Sequence, residues 1–275
     1  MTTSEFVSGV LFLLVAMTVA AAIELAVPLY ASSRSAPGRR ATNLGMTVQT
    51  VLFNFALTML TAVIAAAAPL SSPSWMERAG LPVAAQLVVA IVALDFAFGY
   101  AAHRTMHAWP GLWRFHRIHH SDAFVDVTTT YRTHPVENAW RHFWLVSTIW
   151  LLGVPAAALV VYRALSVVNA VLEHANIRVH AGLDRLMSWF WVTPNMHKVH
   201  HSRAQPETDT NYGNLLSLHD RVLGTFTPTA KAFSVTYGLD DVDPDAKQTV
   251  VALLAMPFRD AEPSHVALRT TPNRR

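Results

Sequence analysis

Three long apolar runs most restrict what this chain can fold into. They cover residues 6–29, 45–70 and 81–102. Each run is long enough to cross a hydrocarbon core of about 30 Å as a helix that rises about 1.5 Å per residue. Backbone amides find no water inside a bilayer, so such runs must satisfy their hydrogen bonds internally, as helices do. The sequence therefore predicts an all-α integral membrane protein with about three long transmembrane helices.

The composition supports a membrane protein and excludes several kinds of site. The 275 residues are 52% hydrophobic and only 14% charged, against roughly 25% charged residues in a soluble domain. The net charge is +3, and the basic residues are scattered, which argues against nucleic acid as a partner. The chain contains no cysteine, which rules out disulfides, iron–sulfur clusters and thiolate ligands. Any metal would be held by nitrogen and oxygen atoms.

Charge in the first linker predicts the orientation of the chain. Residues 32–43 include Arg34, Arg39 and Arg40, and cytoplasmic loops carry an excess of such residues. This places the N-terminus outside and the end of the third run, at residue 102, inside. Glu24 lies near the end of the first run, where we interpret it as a carboxylate that reaches the lipid headgroups; a functional role is the alternative.

Histidine clusters follow the third run. One has the pattern HxxxH and two have the pattern HxxHH, formed by His103 and His107, by His116, His119 and His120, and by His197, His200 and His201. Helical residues three and four apart share a face, so each cluster directs two or three imidazoles one way. Eight imidazoles are too many for one ion, because zinc takes about four ligands and iron about six. We therefore predict two metal ions.

A shared site requires that the chain return to its starting side of the membrane. The apolar stretch 143–172 separates the second cluster from the third, and the segment from Gly153 to Pro155 interrupts it. We predict a broken helical hairpin with arms of about ten and about seventeen residues. The histidine clusters then lie in a cytoplasmic helical cap. The predicted organisation is N-terminal helices with a basic linker over 1–81, a catalytic domain over 82–260 and a tail over 261–275.

Several metal chemistries fail against the spacing. A zinc protease needs glutamate after the first histidine, where Arg104 stands. A haem pair leaves most of the histidines unexplained, and a metal transporter would place ligands inside its spans. What remains is a non-haem, imidazole-rich site at the membrane surface. Nitrogen ligands suit iron and zinc, and we favour iron because oxygen activation gives such a site a reason to lie beside hydrocarbon. Four other histidines are interpreted as ordinary surface or core residues: His142, His180, His219 and His265.

The order of these motifs resembles that of the fatty acid hydroxylase and sterol desaturase superfamily. Between the clusters the chain also has a His-Pro pair at His134 and a His-Ala-Asn segment that starts at His174. The resemblance covers roughly residues 82–260. It extends to Asp95-Phe96 and Tyr100 ahead of the first cluster, and to residues 209–213, Asp220-Arg221 and Gly224-Thr225 after the last.

The resemblance implies a membrane-bound dimetal enzyme that uses O2 and two external electrons to hydroxylate or desaturate a lipid. The substrate would be a fatty acyl chain, a sterol or a related lipid. The chain departs from the family pattern at His180 and His219, and an extra or substitute metal ligand is the alternative interpretation of each. The implied metal ligands are His103, His107, His116, His119, His120, His134, His174, His197, His200 and His201.

Ligand imidazoles need an acceptor for their second nitrogen. Asp95, Asp209 and Asp220 are the candidates, with Asn176 and Tyr212 as weaker ones. For Asp209 and Asp220 an ordinary role in turns is an equal alternative.

The chain shows no sequence motif for an electron carrier of its own. It has no cysteine for an iron–sulfur centre and no Gly-x-Gly-x-x-Gly segment for a flavin or nicotinamide. We therefore expect a separate ferredoxin or cytochrome-like donor that docks on the cytoplasmic face. The alternative function is a non-catalytic membrane protein that binds zinc as a structural or sensor subunit.

Overall fold

The computed structural model describes residues 3–31, 36–67, 75–244, 246 and 248–259. Within these ranges the secondary structure is helical and contains no strand, only an isolated bridge between Pro28 and Ile177. The predicted all-α fold is confirmed. The predicted tail, residues 261–275, lies outside the described residues, as do Arg34 and His265.

Long helices form the body of the molecule. The third of these long helices has three parts that follow one another without a break: an α-helix, a π-helical segment, Asp95–Ala101, and a second α-helix. A single short helix, α3, precedes it. In chain order these elements are α1 (Thr3–Ala26), α2 (Arg39–Ala67), α3 (Trp75–Arg78), α4 (Val83–Leu94) and α5 (Ala102–Ala108).

Two further long helices complete the bundle, α7 (Pro135–Leu152) and α8 (Ala156–His174). Four helical segments are long and apolar enough to cross a membrane: Ser4–Ala26, Arg39–Val63, Val83–Ala108 and Ala156–His174. In the bundle α8 lies between α1 and α4, while α7 lies between α4 and α2. Many apolar side chains on α1 face outward, among them Leu11 and Val15, as expected of a helix that contacts lipid.

The hairpin is present where the sequence predicts it. Gly153 ends α7 in the left-handed conformation, with φ of 60°, and Pro155 precedes α8. This combination of glycine and proline terminates one helix and starts the next. The arms contain 18 and 19 residues, so the first is longer than expected. It begins at Pro135 because its polar residues, including Glu137 and Arg141, face the interior of the bundle and not the lipid.

Two charged residues, Glu24 and Arg39, lie in other environments than the sequence interpretation gave them, because each is paired inside the molecule. Glu24 does not extend to headgroups: its Oε1 accepts hydrogen bonds from the backbone N–H groups of Val127 (2.7 Å) and Asn176 (2.6 Å). Helix α2 begins at Arg39, inside the predicted linker. The guanidinium of Arg39 is buried and forms ion pairs with Asp122, at 2.7 Å, and with Asp126.

Shorter helices carry the rest of the described chain. Helix α10 packs against α8, and α6 packs against α5 and α7. In chain order they are α6 (Pro110–His120), α9 (Ala181–Met187), α10 (Pro194–His200), α11 (Gln205–Thr208), α12 (Leu218–Val222) and α13 (Val250–Ala255).

Candidate metal centre

Four helices bring the histidine clusters together. His103 and His107 lie on α5, the second cluster lies at the end of α6, and the third lies at the end of α10. His174 is the last residue of α8, so the hairpin returns the chain to the level of the other clusters. The predicted convergence on one side of the bundle is what the structure shows.

Proline fixes the start of three helices at this centre. Pro110, Pro135 and Pro194 each occupy the first turn of a helix, where the missing N–H is not needed and the fixed φ suits the helix. The Oγ1 of Thr193 also caps α10 by accepting from the N–H of Met196 at 3.2 Å. Fixed helix starts set the rotation of α6 and α10, and thereby the direction of their histidines.

Nine buried histidines form two groups in which every side chain offers a nitrogen within 4.8 Å of the others. The five-histidine group consists of His103, His107, His116, His120 and His200. The four-histidine group consists of His119, His174, His197 and His201. The groups adjoin: the rings of His120 and His201 are stacked with their centroids 4.6 Å apart.

Each HxxHH cluster is divided between the two groups. In α6 the outer pair, His116 and His120, joins the five-histidine group, while His119 joins the other. In α10 the outer pair, His197 and His201, joins the four-histidine group, while His200 joins the five-histidine group. The sequence interpretation had each cluster pointing one way. A spacing of four is close to one helical turn, whereas the middle residue is rotated enough to reach the neighbouring group.

The nitrogen atoms are arranged as metal ligands would be. Nε2 atoms lie 3.0 Å apart between His103 and His116, and 3.0 Å apart between His174 and each of His119 and His197. Ligands about 2.1 Å from a common ion lie roughly 3.0 to 3.4 Å from one another. Neither ring nitrogen of His120 has a hydrogen-bond partner among the described residues, although both are buried. A bound cation would satisfy the one of these two nitrogens that carries the lone pair.

In four members of the five-histidine group, Nδ1 faces an acceptor. Nδ1 of His103 donates to the carbonyl of Tyr212 at 2.9 Å, and Nδ1 of His200 donates to the carbonyl of Thr210 at 2.8 Å. Nδ1 of His107 lies 3.1 Å from Oδ1 of Asp209, and Nδ1 of His116 lies 3.0 Å from Oε2 of Glu137. These contacts orient the rings and leave Nε2 for a metal.

The four-histidine group is anchored from α8. Nδ1 of His174 donates to the carbonyl of Ala170 at 2.7 Å. The carboxylate of Glu173 lies 3.9 Å from Nδ1 of His174 and 4.0 Å from Nδ1 of His197, which is ion-pair range but too long for a hydrogen bond.

Burial lowers the pKa of His200 to about 3 and lowers the pKa of His119, His120, His197 and His201 well below the usual value. These imidazoles are therefore neutral, the form that binds metal.

One predicted ligand lies apart from both groups. His134 caps α7, where its Nδ1 accepts from the N–H of Val136 at 3.1 Å. Its ring packs against Phe115 and Phe258. The structure also brings neither His180 nor His219 to the groups. His180 caps α9, and Nε2 of His219 lies 3.3 Å from Asp95.

The predicted acceptors act in different ways. Asp209 contacts a histidine with its side chain, as described, and Tyr212 does so with its backbone carbonyl. Asp95 and Asp220 instead hold the loop that carries Tyr212: Asp220 accepts from the N–H groups of Tyr212 and Gly213, both at 2.8 Å, and Asp95 accepts from Leu215 and Leu216. Asn176 bonds the backbone of Tyr30 and contacts no imidazole in the groups.

A cavity opens beside both groups, between the long helices. It is lined by histidines of both groups, by polar residues of α7 and by apolar and polar residues of α8. Glu137, Arg141, Arg163 and Glu173 line it, and the sequence interpretation assigned no role to them. A signal was present for the two glutamates, because one lies three residues after His134 and the other directly precedes His174.

Comparison with known proteins agrees with the geometry. The family model for fatty acid hydroxylase matches residues 87–225. The ornithine lipid hydroxylase OlsE of Rhizobium tropici is 33% identical over 178 residues, which are 64% of this chain and 51% of that protein. The alkylglycerol monooxygenases of Xenopus tropicalis and Homo sapiens are 28% and 27% identical, over 54% of this chain and about a third of their own length.

The chain thus spans about half the length of the ornithine lipid hydroxylase and less of the monooxygenases. No solved structure matches it. The matched residues contain α5, α6, α8 and α10 and therefore every histidine of the two groups. The chain belongs to the fatty acid hydroxylase family.

Proposed function

We propose that this chain is a membrane-embedded oxygenase that holds two iron ions and uses O2 to hydroxylate or desaturate a lipid. The observation that carries the proposal is the convergence of nine buried imidazoles in two adjacent groups beside a cavity between apolar helices. The names of the relatives, a lipid hydroxylase and alkylglycerol monooxygenases, support the same class of reaction.

The five- and four-histidine groups would each hold one ion. When bound, the two ions would supply the reduction of O2 and the removal of hydrogen from an unactivated C–H bond. Hydroxylation consumes one O2, two electrons and two protons, and yields an alcohol and one water. Desaturation consumes the same reactants and yields an alkene and two waters. In both cases the two electrons come from a separate donor, for which a ferredoxin or a cytochrome-like protein is suitable.

The chain's own residues orient the ligands and shape the space for the substrate. Asp209 and Glu137 fix the rings of His107 and His116 through Nδ1. The apolar helices around the cavity exclude bulk water and accept a lipid tail. With the orientation predicted from the linker charges, the histidines face the cytoplasm, where an electron donor can dock.

The experiment is a metal and spectroscopic assay on the purified chain after expression with excess iron. We expect about two iron ions per chain, with optical or Mössbauer features that change when a dithionite-reduced sample meets O2. The zinc-binding alternative predicts zinc at full occupancy and no change on reduction or oxygen exposure, and that result would overturn the oxygenase proposal. Lipid mass spectrometry of cells with and without the gene, for a gain of oxygen or a loss of two hydrogens, identifies the product.

A further inference from the structure

A charged side chain lies inside one of the apolar helices. Arg163 is part of the segment Ala156–His174, which is long and apolar enough to cross a membrane, and it lines the cavity beside the histidines. An arginine within a membrane-spanning segment is costly and is retained where it faces a partner or a pathway inside the protein. Arg163 makes a cation–π contact, in which its Cζ lies 5.1 Å from the centre of the Phe98 ring.

Arg163 differs from Arg141, the other arginine that lines this cavity, in its relation to carboxylates. Arg141 also lies over Phe98, at 5.9 Å, but its Nε is 3.2 Å from Oε1 of Glu137. Among the described residues, no carboxylate lies within ion-pair distance of Arg163. The two acids that line the cavity are engaged elsewhere: Glu137 faces Arg141 and His116, and Glu173 faces histidines of α8 and α10.

The position of Arg163 sets a distance from the histidines. It precedes His174 on α8 by eleven residues, or roughly 16 Å along the helix at 1.5 Å per residue. The same cavity is lined by Arg163 and by His119, His174 and His197. This distance separates the two backbone positions on α8, and the cavity connects the Arg163 side chain with the histidines.

We propose that Arg163 binds an oxyanion of the lipid substrate, a carboxylate or a phosphate ester, and so presents a carbon remote from that oxyanion to the metal centre. The planar guanidinium matches both anions through two parallel hydrogen bonds. Its charge would then be neutralised by the substrate, as Arg141 is neutralised by Glu137. The oxidation step rests on the proposed function, whereas the binding step does not.

The test is a binding titration on the metal-loaded, full-length chain in neutral detergent, followed by native mass spectrometry. The probes share one chain length: hexadecanoate, hexadecyl phosphate and hexadecanol. We expect one or both anions to bind at least tenfold more tightly than the alcohol. R163Q should lose that preference and keep the affinity for hexadecanol within twofold. R163K should retain part of the preference for anions, because lysine keeps the positive charge but cannot form the two parallel hydrogen bonds of the guanidinium.

The control is R178Q, which removes an exposed arginine from the segment that follows α8 and should behave as the wild-type chain. A preference for hexadecanoate alone assigns a carboxylate, and a preference for the phosphate alone assigns a phosphate ester. Equal binding of all three probes by the wild-type chain, or an R163Q variant that keeps its preference for anions, would overturn the proposal. Binding selectivity without any lipid oxidation would leave this inference standing and count against the oxygenase.

Discussion

At the scale of single residues, the division of each HxxHH cluster explains why three histidines occur at that spacing. Residues four apart join one group and the residue between them joins the other, so α6 and α10 each serve both groups. One short helix can thereby hold two metal ions at a fixed separation. The sequence predicted the ligand types and their convergence. It did not indicate that His134 lies apart from both groups, where its Nδ1 caps a helix by accepting from the N–H of Val136.

Removal of single histidines tests the two groups separately. We expect His119→Ala to lower metal affinity in the four-histidine group and His200→Ala in the five-histidine group. Each effect should exceed the roughly 10- to 100-fold loss typical of an outer hydrogen-bond partner. His180→Ala is the control, since His180 caps a short exposed helix. Metal content after dialysis against a weak chelator measures the effect. Full metal content in His200→Ala would contradict the five-histidine group.

Glu137 offers a milder test at the same scale. Glu137→Gln keeps the shape of the side chain but removes the charge that faces Nδ1 of His116 at 3.0 Å. We expect a roughly 10- to 100-fold loss of metal affinity in the five-histidine group with the fold retained. Competition with a chromophoric chelator measures it. The matched control is Glu207→Gln, whose carboxylate pairs with Lys231 at 2.8 Å in an exposed contact. Equal affinities in the two variants would refute an orienting role for Glu137.

At the scale of elements, the π-helical segment Asp95–Ala101 connects a membrane-length helix to the first two histidines. Its extra residue shifts the register of everything that follows, and such segments are frequent at functional sites. The sequence indicated a continuous helix and, at Gly153 to Pro155, the hairpin. It did not indicate the π-helical turn or the early start of α7, because both depend on partners distant in the sequence: Asp95 bonds Leu215 and Leu216.

Gly99 lies in this segment at a close approach of two elements. A Cβ at Gly99 would stand 2.9 Å from Oδ1 of Asp95 and 3.1 Å from Cβ of Asn214. We expect Gly99→Ala to lower the free energy of unfolding by about 1–3 kcal/mol, as overpacking does. Gly111→Ala is the control, since Gly111 also lies in a helix and a Cβ there meets nothing within 4 Å; it should be neutral or stabilising by up to about 1 kcal/mol. Thermal unfolding in one detergent compares them, and equal stabilities would contradict the close approach.

At the scale of the whole molecule, the candidate metal centre joins segments that lie about a hundred residues apart in the chain. Nine buried imidazoles with converging lone pairs are best satisfied by cations, so metal binding and folding are coupled. The long helices and their order follow from apolar length and turn residues that are visible in the sequence. The cavity could not be predicted, because Arg163 and Phe98 lie far apart in the sequence and come into contact only in the folded chain.

Metal removal should therefore destabilise the molecule as a whole. A ligand present at a hundred times its dissociation constant stabilises the folded state by about 2.7 kcal/mol per site. We expect chelation to lower Tm clearly and Fe(II) or Zn(II) to restore it. Differential scanning fluorimetry on the His119→Ala variant provides the comparison, with a smaller loss on chelation. A Tm that does not respond to chelation would show that the groups do not hold metal.

The orientation in the membrane is also a property of the whole chain. Reporter fusions after Leu112 and after Gln205 should both report the cytoplasm, because α7 and α8 form a hairpin that returns to its starting side. A fusion after Pro155, in the turn of the hairpin, tests how far the turn extends across the membrane. Opposite signals from the first two positions would contradict the hairpin, whereas an external signal from both would contradict the orientation predicted from the linker charges.

The two hydrogen bonds of Glu24 bear on how this family can be recombined. Glu24 lies on α1, outside the matched residues 87–225, yet its carboxylate holds backbone N–H groups at Val127 and Asn176 within them. The backbone of residues 87–225 therefore depends on a side chain outside that range. A chimaera that joins them to the first helix of a relative would leave two amides without an acceptor, unless that helix carries a carboxylate at the same height. We expect a chimaera of two relatives to fold when α1 and residues 87–225 come from the same protein.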